Sequence, residues 1–586
     1  MAIWFAVMAL PLAVMSFALI DINRASVEKR HLQDALDAAV LLVARSTATT
    51  DAQAQAMGSA ALAAQLTGMS KATLLSSSFK IVGSKVSGTA TSGLSPYISN
   101  LWLGGDMQVG AVSEATRAAI NVELALVLDV TGSMAGSRLT DLKAAAKDLI
   151  DMVVSDSQSP YYSKAALVPY SVAVNVGGYA PSVRGAVVGT RSISGISWQS
   201  GATKNITGIS KASSALVTSS NHGFQNGDVV YISGVNGMTQ VNDKYYTVSN
   251  AATNNFRLFG TSSSFWSTYT SGGIIRKCQV SDCSLVVTTS AAHGYANGDD
   301  IYFSGVGGLT ALNGNTYSIA NTTSTTFSLV GVLGPTSSVW TSGGTSYCTT
   351  YGCEFQRFTN ASSTPQIRMH QINTCATERT GAYAYTDTAP GIAPVGANYP
   401  SSGNACPTAM IMPLSTNRTA LKAQIDTYAA AGSTAGQIGV EWGWYMVSPN
   451  FASLWPVASQ PAAYSKPDLL KAVVIMTDGE FNSPYCQGVI ARNAGSGSGS
   501  TSDKINCDAT NGQGAAQALR TCTAMKNAGV VVYTVGLGMA AGGEAETLLK
   551  NCATSSAHLY LPSSGGALKD AFSAIGRDIM KLRLSK

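Results

Sequence analysis

The sequence predicts an α/β chain in which a parallel sheet with helices on its faces is interrupted by a large all-β repeat region. An N-terminal transmembrane helix and a small α+β region precede that sheet. Three observations carry the expectation. Residues 122–128 (VELALVL) and 470–476 (LKAVVIM) are almost continuously apolar, as strands covered on both faces of a parallel sheet are. Residues 142–154 follow the first of them and put Leu142, Ala145, Ala146, Leu149, Ile150 and Val153 on one helical face. Between the two strands, residues 205–347 lose this rhythm, turn rich in Ser, Thr, Asn and Gly, and repeat internally.

The first strand stops at Asp129, and Asp129, Thr131 and Ser133 alternate before the helix begins. A short loop there aims one carboxylate and two hydroxyls at a common point, beyond the carboxyl end of a strand, where open α/β sheets place ligands. Hard oxygen donors suit Mg²⁺, with Ca²⁺ or Mn²⁺ as substitutes. The loop resembles the metal-ion-dependent adhesion site of von Willebrand factor A (vWA) domains, whose first motif reads Asp-x-Ser-x-Ser, with Thr131 keeping the first hydroxyl. The resemblance implies a Rossmann-like domain with a Thr from a second loop and an Asp after a later strand. Gly432-Ser433-Thr434 offers Thr434, and Thr477-Asp478-Gly479, behind residues 470–476, offers Asp478. Read alone, Asp129 and Ser133 would serve as helix caps; three motifs in order favour a metal site.

Composition narrows the function classes. The 586 residues give room for several domains. Charged residues make up 12%, and the net charge is +5 with no basic run or aromatic-basic interleaving, which argues against a nucleic-acid partner. All ten cysteines fall between Cys278 and Cys552. Cys278-x4-Cys283 and Cys348-x4-Cys353 lack the usual zinc spacing and a His-x3–5-His partner, so disulfides in an oxidising compartment are expected.

In chain order, residues 2–20 carry no charge and are long enough to cross a bilayer, with Pro11 inside. A cleaved signal peptide, with Ser16-Phe17-Ala18 as its site, is the rival, but no basic segment precedes the run and helical sequence continues through Asp21. Arg24, Lys29 and Arg30 just after the span would place the body in the cytoplasm by the positive-inside rule, whereas the cysteines place it outside. The expectation follows the cysteines: a single-pass protein of the bacterial inner membrane with its body in the periplasm or cell envelope. Residues 21–66 read as a long Ala-rich helix and 76–116 as a few short strands, so that 21–119 form the small α+β region.

The apolar span followed by Leu32-Gln33-Asp34-Ala35-Leu36-Asp37-Ala38-Ala39 is similar to the start of TadG-like proteins of the Tad (Flp) pilus machinery. Cys375-Ala376-Thr377-Glu378-Arg379-Thr380-Gly381, Tyr385-Thr386-Asp387, Cys406-Pro407-Thr408 and Gly432-Ser433-Thr434-Ala435-Gly436 with Trp442-Gly443-Trp444-Tyr445 resemble later landmarks of that family. The resemblance implies an envelope-anchored protein assisting pilus assembly and surface attachment, with pilus machinery components as partners. A Gly before the apolar span with Glu at its fifth position, the prepilin signature, is not seen, so the chain does not read as a pilin subunit.

The vWA body is expected over residues 120–180 and 408–586, the repeats over 205–347 and a disulfide-bearing loop region over 348–407. In the repeats, His222-Gly223-Phe224 returns as His293-Gly294-Tyr295, an offset of 71 (293 − 222), and Gly227-Asp228, Ser233-Gly234, Phe256 and Ser271-Gly272-Gly273 return at the same offset. Short alternating runs between turns make two small β units, which look like repeats of phage tail and surface proteins. One His beside a Gly in each unit reads as a turn or packing residue rather than a ligand. Cys486 and Cys507 are candidates to close the base of a Gly/Ser-rich loop, and Cys522 and Cys552 are spaced to pair. Trp442, Trp444 and Tyr445 read as the core packing of a helix rather than a binding surface, and Glu480 and Asn482 as solvent-facing neighbours of Asp478 rather than ligands through water.

The expected function is binding rather than catalysis, since no His or Glu is placed to act as a general base beside the metal loop. Asp129, Thr131, Ser133, Thr434 and Asp478 would hold the ion, and a partner's acidic side chain would complete it. The alternative is a surface adhesin whose β repeats carry the binding, with the vWA domain as scaffold.

Overall fold

The computed structural model describes residues 2–46, 48, 50–67, 72–82, 85–97, 104–116, 120–159 and 161–584. Helix Ala2–Ala44 runs unbroken through Pro11 and lies with helix Asp51–Leu66 on a three-stranded antiparallel sheet of Thr73–Val82, Lys85–Leu94 and Met107–Thr116. Leu32, Leu36, Val40 and Val43, spaced by three and four, bury themselves against Phe79, Val86 and Val109. The boundary expected at residue 119 lies outside the described residues.

The expected transmembrane helix at residues 2–20 is not found: among the described residues no helix is long and apolar enough to cross a membrane. The uncharged run at residues 2–20 is not a separate element: it forms the leading turns of a 43-residue helix whose later turns carry charges and pack on the sheet. The single-pass anchor, and the inner-membrane location drawn from it, are withdrawn.

The site is carried by a six-stranded sheet in the order Met412–Ser415, Ser163–Tyr170, Asn121–Asp129, Leu469–Thr477, Val531–Gly536, Leu559–Tyr560. Its first strand pairs antiparallel and the other four pairings are parallel. Alternate residues of the Asn121–Asp129 strand enter different cores. Ala125 and Val127 pack with Ile438, Trp442, Ala518 and Leu548 on one face. Leu124, Leu126 and Leu128 pack with Leu142, Leu149, Leu421 and Phe572 on the other. That two-sided burial explains the nearly unbroken apolar run. Its exception, Glu123, is buried and paired with Lys471, with further bonds from the Tyr162 hydroxyl (2.8 Å) and the Ala462 amide (2.9 Å).

The α/β expectation for the chain, a Rossmann-like vWA protein with an insertion, is overturned by the rest of the architecture. The described residues form 29 strands in seven sheets, and the mostly parallel sheet holds only six of those strands. A seven-stranded sheet and a closed six-stranded barrel occupy the middle of the chain. The chain is β-rich and multi-sheet. The physical reason is that Ser, Thr and Gly strands of two to nine residues, half exposed, carry little hydrophobic periodicity.

The two β units are built alike. Strands before residue 205 belong to them: Arg191–Ser197 closes the barrel, and Gln199–Asn205 pairs with Ser271–Cys278. His222 and His293 accept the amides of Phe224 and Tyr295 at Nδ1 (2.9 Å each) and donate from Nε2 to the Asn255 and Thr326 carbonyls (3.2 and 3.3 Å). Both ring nitrogens are thus spent on the turn. All ten cysteines pair: Cys278–Cys283, Cys348–Cys353, Cys375–Cys406, Cys486–Cys507 and Cys522–Cys552.

Candidate cation site

Two neighbouring parallel strands end side by side at Asp129 and Thr477, and the loops that follow meet there. A third loop, residues 431–434, is drawn against them by backbone bonds from the Ala431 amide to the Val130 carbonyl (3.0 Å) and from the Gly132 amide to the Gly432 carbonyl (2.9 Å). Gly432 has φ +77°, a left-handed conformation that favours glycine.

Asp129 is fully buried. Its Oδ1 accepts from the Thr131 amide (2.9 Å) and hydroxyl (2.6 Å), and its Oδ2 faces the hydroxyls of Tyr170 (3.0 Å) and Thr477 (2.9 Å). The Thr131 hydroxyl lies 2.9 Å from that of Ser133, and Ser133 donates to Asp478 Oδ1 at 2.6 Å. Arg138 holds the other oxygen, Asp478 Oδ2, at 2.7 Å. Asp129, Thr131, Ser133 and Asp478 therefore form one chain of oxygens in contact. Thr434 is placed beside it through its backbone, with its amide donating to Asn482 Oδ1 (3.0 Å) and its carbonyl accepting the Asn482 amide (2.9 Å). Among the described residues no hydrogen bond joins the Thr434 hydroxyl to the other four.

Thr131 gives its hydroxyl proton to Asp129 and Ser133 gives its own to Asp478, so the 2.9 Å Thr131–Ser133 contact holds no proton when both carboxylates are ionised. Tyr170 and Thr477 each have one hydroxyl proton and a second acceptor, the Met476 and Gly479 carbonyls, both at 3.1 Å. Oxygen lone pairs outnumber protons here, in a place buried at Asp129 and Thr131 and open to solvent at Ser133. Burial first, and then the charge of Asp478, push the Asp129 carboxyl up to about 6, against hydrogen bonds from Thr131 and Thr477 that pull it down. A set of hard oxygens that includes two carboxylates and is short of protons fits a divalent cation.

Some positioning residues were not singled out in the sequence. Tyr170 ends the neighbouring strand and grips Asp129, Asn404 Oδ1 accepts the Ser433 amide (3.0 Å), and Arg138 neutralises Asp478. Asn482 holds the Thr434 loop rather than only facing solvent. Arg138, in the first turn after the Asp129 loop, was findable from its place in the sequence. Asn404, distant in sequence from the Ser433 it holds, had no local signal.

Below the site, helix Gly436–Val447 is buried along its whole length, including Trp442, Trp444 and Tyr445. The segment around Cys375 runs beneath it and is no plain loop: Glu378 and Arg379 are fully buried, with Arg379 over the rings of Tyr445 (5.1 Å) and Phe451 (5.5 Å).

Residues 1–46 match the family described as Putative Flp pilus-assembly TadE/G-like. Residues 213–279, within the first β unit, match the Ubiquitin-activating enzyme E1 FCCH domain. No curated protein matches the chain. Among solved structures, the chain is similar to the pilus adhesin SpaC of Lactobacillus rhamnosus GG at 9% identity and TM-score 0.28, covering 87% of this chain and 34% of that one. The chain thus spans about a third of SpaC, 34%. The vWF domain of the type V pili tip protein Mfa5 from Porphyromonas gingivalis aligns at 8% identity and TM-score 0.31, over 80% of this chain and 97% of that one. The adhesive tip pilin GBS104 from Group B Streptococcus agalactiae aligns at 8% identity and TM-score 0.29, over 78% and 100%.

Proposed function

We propose that this chain is a pilus-associated surface binding protein, not an enzyme, that engages a protein partner through a divalent cation held by Asp129, Thr131, Ser133, Thr434 and Asp478. The observation that carries the cation is the proton-poor chain of oxygens from Asp129 to Asp478, beyond the carboxyl ends of two adjacent parallel strands. The match of residues 1–46 supports the pilus context, with Tad machinery components as partners. Mg²⁺ is the ion favoured by the hard donors, and Ca²⁺ or Mn²⁺ would substitute. When bound, the ion supplies a coordination position that a partner's carboxylate fills. The chain's own residues do the rest: Tyr170 and Thr477 fix the Asp129 carboxylate, Asn482 fixes the Thr434 loop, and Arg138 limits the site's negative charge.

The test is a count of surface pili in a deletion strain complemented with Asp129→Ala, with the variant's abundance and thermal unfolding checked in parallel. Pili that fail to return although the variant is present and folded are the expected result. Pili at wild-type number would remove the site from assembly.

A further inference from the structure

The joint between the two β units is open to solvent. There a cleft of about 390 Å³ is lined by Trp198, Gln199, Tyr231, Asp243, Arg276 and Trp340, a size within the range of small-ligand sites. Trp198 sits where the chain passes from the barrel strand Arg191–Ser197 to Gln199–Asn205 of the seven-stranded sheet, and its ring meets Tyr231 edge-on at 5.6 Å. Trp198, Tyr231 and Trp340 are all half-buried.

The polar groups of the cleft are held but not used up. Asp243 Oδ1 accepts the Tyr231 hydroxyl (3.0 Å), and Arg276 donates to the Ser233 hydroxyl (3.3 Å). Among the described residues neither Asp243 nor Arg276 is in an ion pair. The repeat shows that the fold does not need them. At the offset of 71, Tyr231, Asp243 and Arg276 become Tyr302, Gly314 and Tyr347 in the second unit, where the two tyrosines pack edge-on at 5.8 Å. The same fold is therefore built once with this acid and base and once without.

We infer that the cleft between the two β units binds a neutral oligosaccharide. A sugar ring offers C–H faces that lie against aromatic rings and hydroxyls that both donate and accept. The half-buried rings meet the first need, Asp243 the second as acceptor, and Arg276 the third as a fork of donors. An apolar segment would cut off from water the charges of Asp243 and Arg276, each held by one neutral hydroxyl and neither in an ion pair, at a cost. A polyanion would meet Asp243 beside a single cation. The inference stands apart from the cation site and survives that site's failure.

The full chain would be titrated with cellohexaose, chitohexaose, maltohexaose and laminarihexaose, and with a heparin hexasaccharide as the anionic comparison. Tryptophan fluorescence and calorimetry would report binding. Saturable binding of at least one neutral hexasaccharide is expected, weakened about tenfold or more in Trp340→Ala and in Asp243→Asn. Asparagine tolerates the left-handed backbone of residue 243 (φ 58°), so the second variant reports on contact rather than folding. Tyr302→Phe, at the equivalent place outside the cleft, should bind as wild type. Failure of all four neutral sugars, preference for heparin, or indifference of binding to both cleft variants would overturn the inference.

Discussion

Glu378 shows how single buried groups set the chemistry beneath the cation site. Its Oε1 accepts the Tyr485 amide (2.9 Å) and the Gln517 side-chain amide (3.4 Å), whereas among the described residues its Oε2 and the Oε1 atoms of Gln437 and Gln517 lack donors. Burial dominates and raises its carboxyl from 4.5 to about 6. A folded value above the unfolded one means that the native state holds the extra proton. The contribution is therefore most favourable below pH about 4.5 and is lost as pH rises through about 6. The shift corresponds to about 2 kcal/mol, with no solvent screening at a buried site. Glu378→Gln keeps the Oε1 acceptor without a titratable charge and should raise stability at pH 7 by about 1–2 kcal/mol in urea unfolding. It should also flatten the pH dependence between pH about 4.5 and 6; an unchanged stability profile would show that Glu378 is not the group responsible. None of this was legible in the sequence, where the Cys375 segment has no periodicity and its burial comes from elements distant along the chain. Asp129, Thr131, Ser133 and Asp478, by contrast, could be picked out because alternation in one loop and an apolar strand before each acid are local signals.

At the level of elements, the helix Gly436–Val447 ties the core to the site. A Cβ at Gly439 would stand 2.7 Å from the Tyr170 ring and 3.0 Å from Val127, so the helix rests directly on the two strands that carry Tyr170 and Asp129. Gly439→Ala gains up to about 1 kcal/mol in helix propensity but overpacks the interior by about 1–3 kcal/mol. We expect a net loss of stability and, because Tyr170 must move, a disproportionate loss of cation affinity. Destabilisation with cation affinity unchanged would separate Tyr170 from the site. The helix itself was readable from its run of apolar residues. Its contact with Tyr170 was not, since glycine spacing alone does not say which ring fills the groove.

For the whole molecule, the two β units leave and rejoin the rest of the chain at adjacent points. The Glu354 amide bonds the Val188 carbonyl (2.9 Å), and the Thr190 amide bonds the Glu354 carboxylate (2.9 Å). Replacing residues 189–353 by a short Gly-Ser linker should leave a folded remainder that still binds Mg²⁺, seen as a single thermal transition and a monodisperse elution peak. Removing only residues 205–347 leaves the Arg191–Ser197 and Gln199–Asn205 strands without partners and should give aggregation. Equal behaviour of the two deletions would contradict the boundaries drawn from strand pairing. The repeat was plain in the sequence because Gly, His and aromatic positions return in step. Its first two strands were not, because RSISGIS and QSGATKN offer little alternation and have no copy later in the chain. The chain-level fold class was misjudged for a related reason: two long apolar strands outweigh many short polar ones when hydrophobicity is the guide.

Whether the oxygens between Asp129 and Asp478 take a divalent cation is decided by calorimetric titration of Mg²⁺ into metal-free protein. One site is expected in the wild type and none in Asp129→Ala or Ser133→Ala. Affinity should rise about two- to fivefold in Arg138→Ala, where the competing guanidinium, itself half exposed and worth under about 1 kcal/mol, is gone. Absence of Mg²⁺ binding, with Ca²⁺ and Mn²⁺ equally silent, or binding that persists in Asp129→Ala, would rule the cation site out.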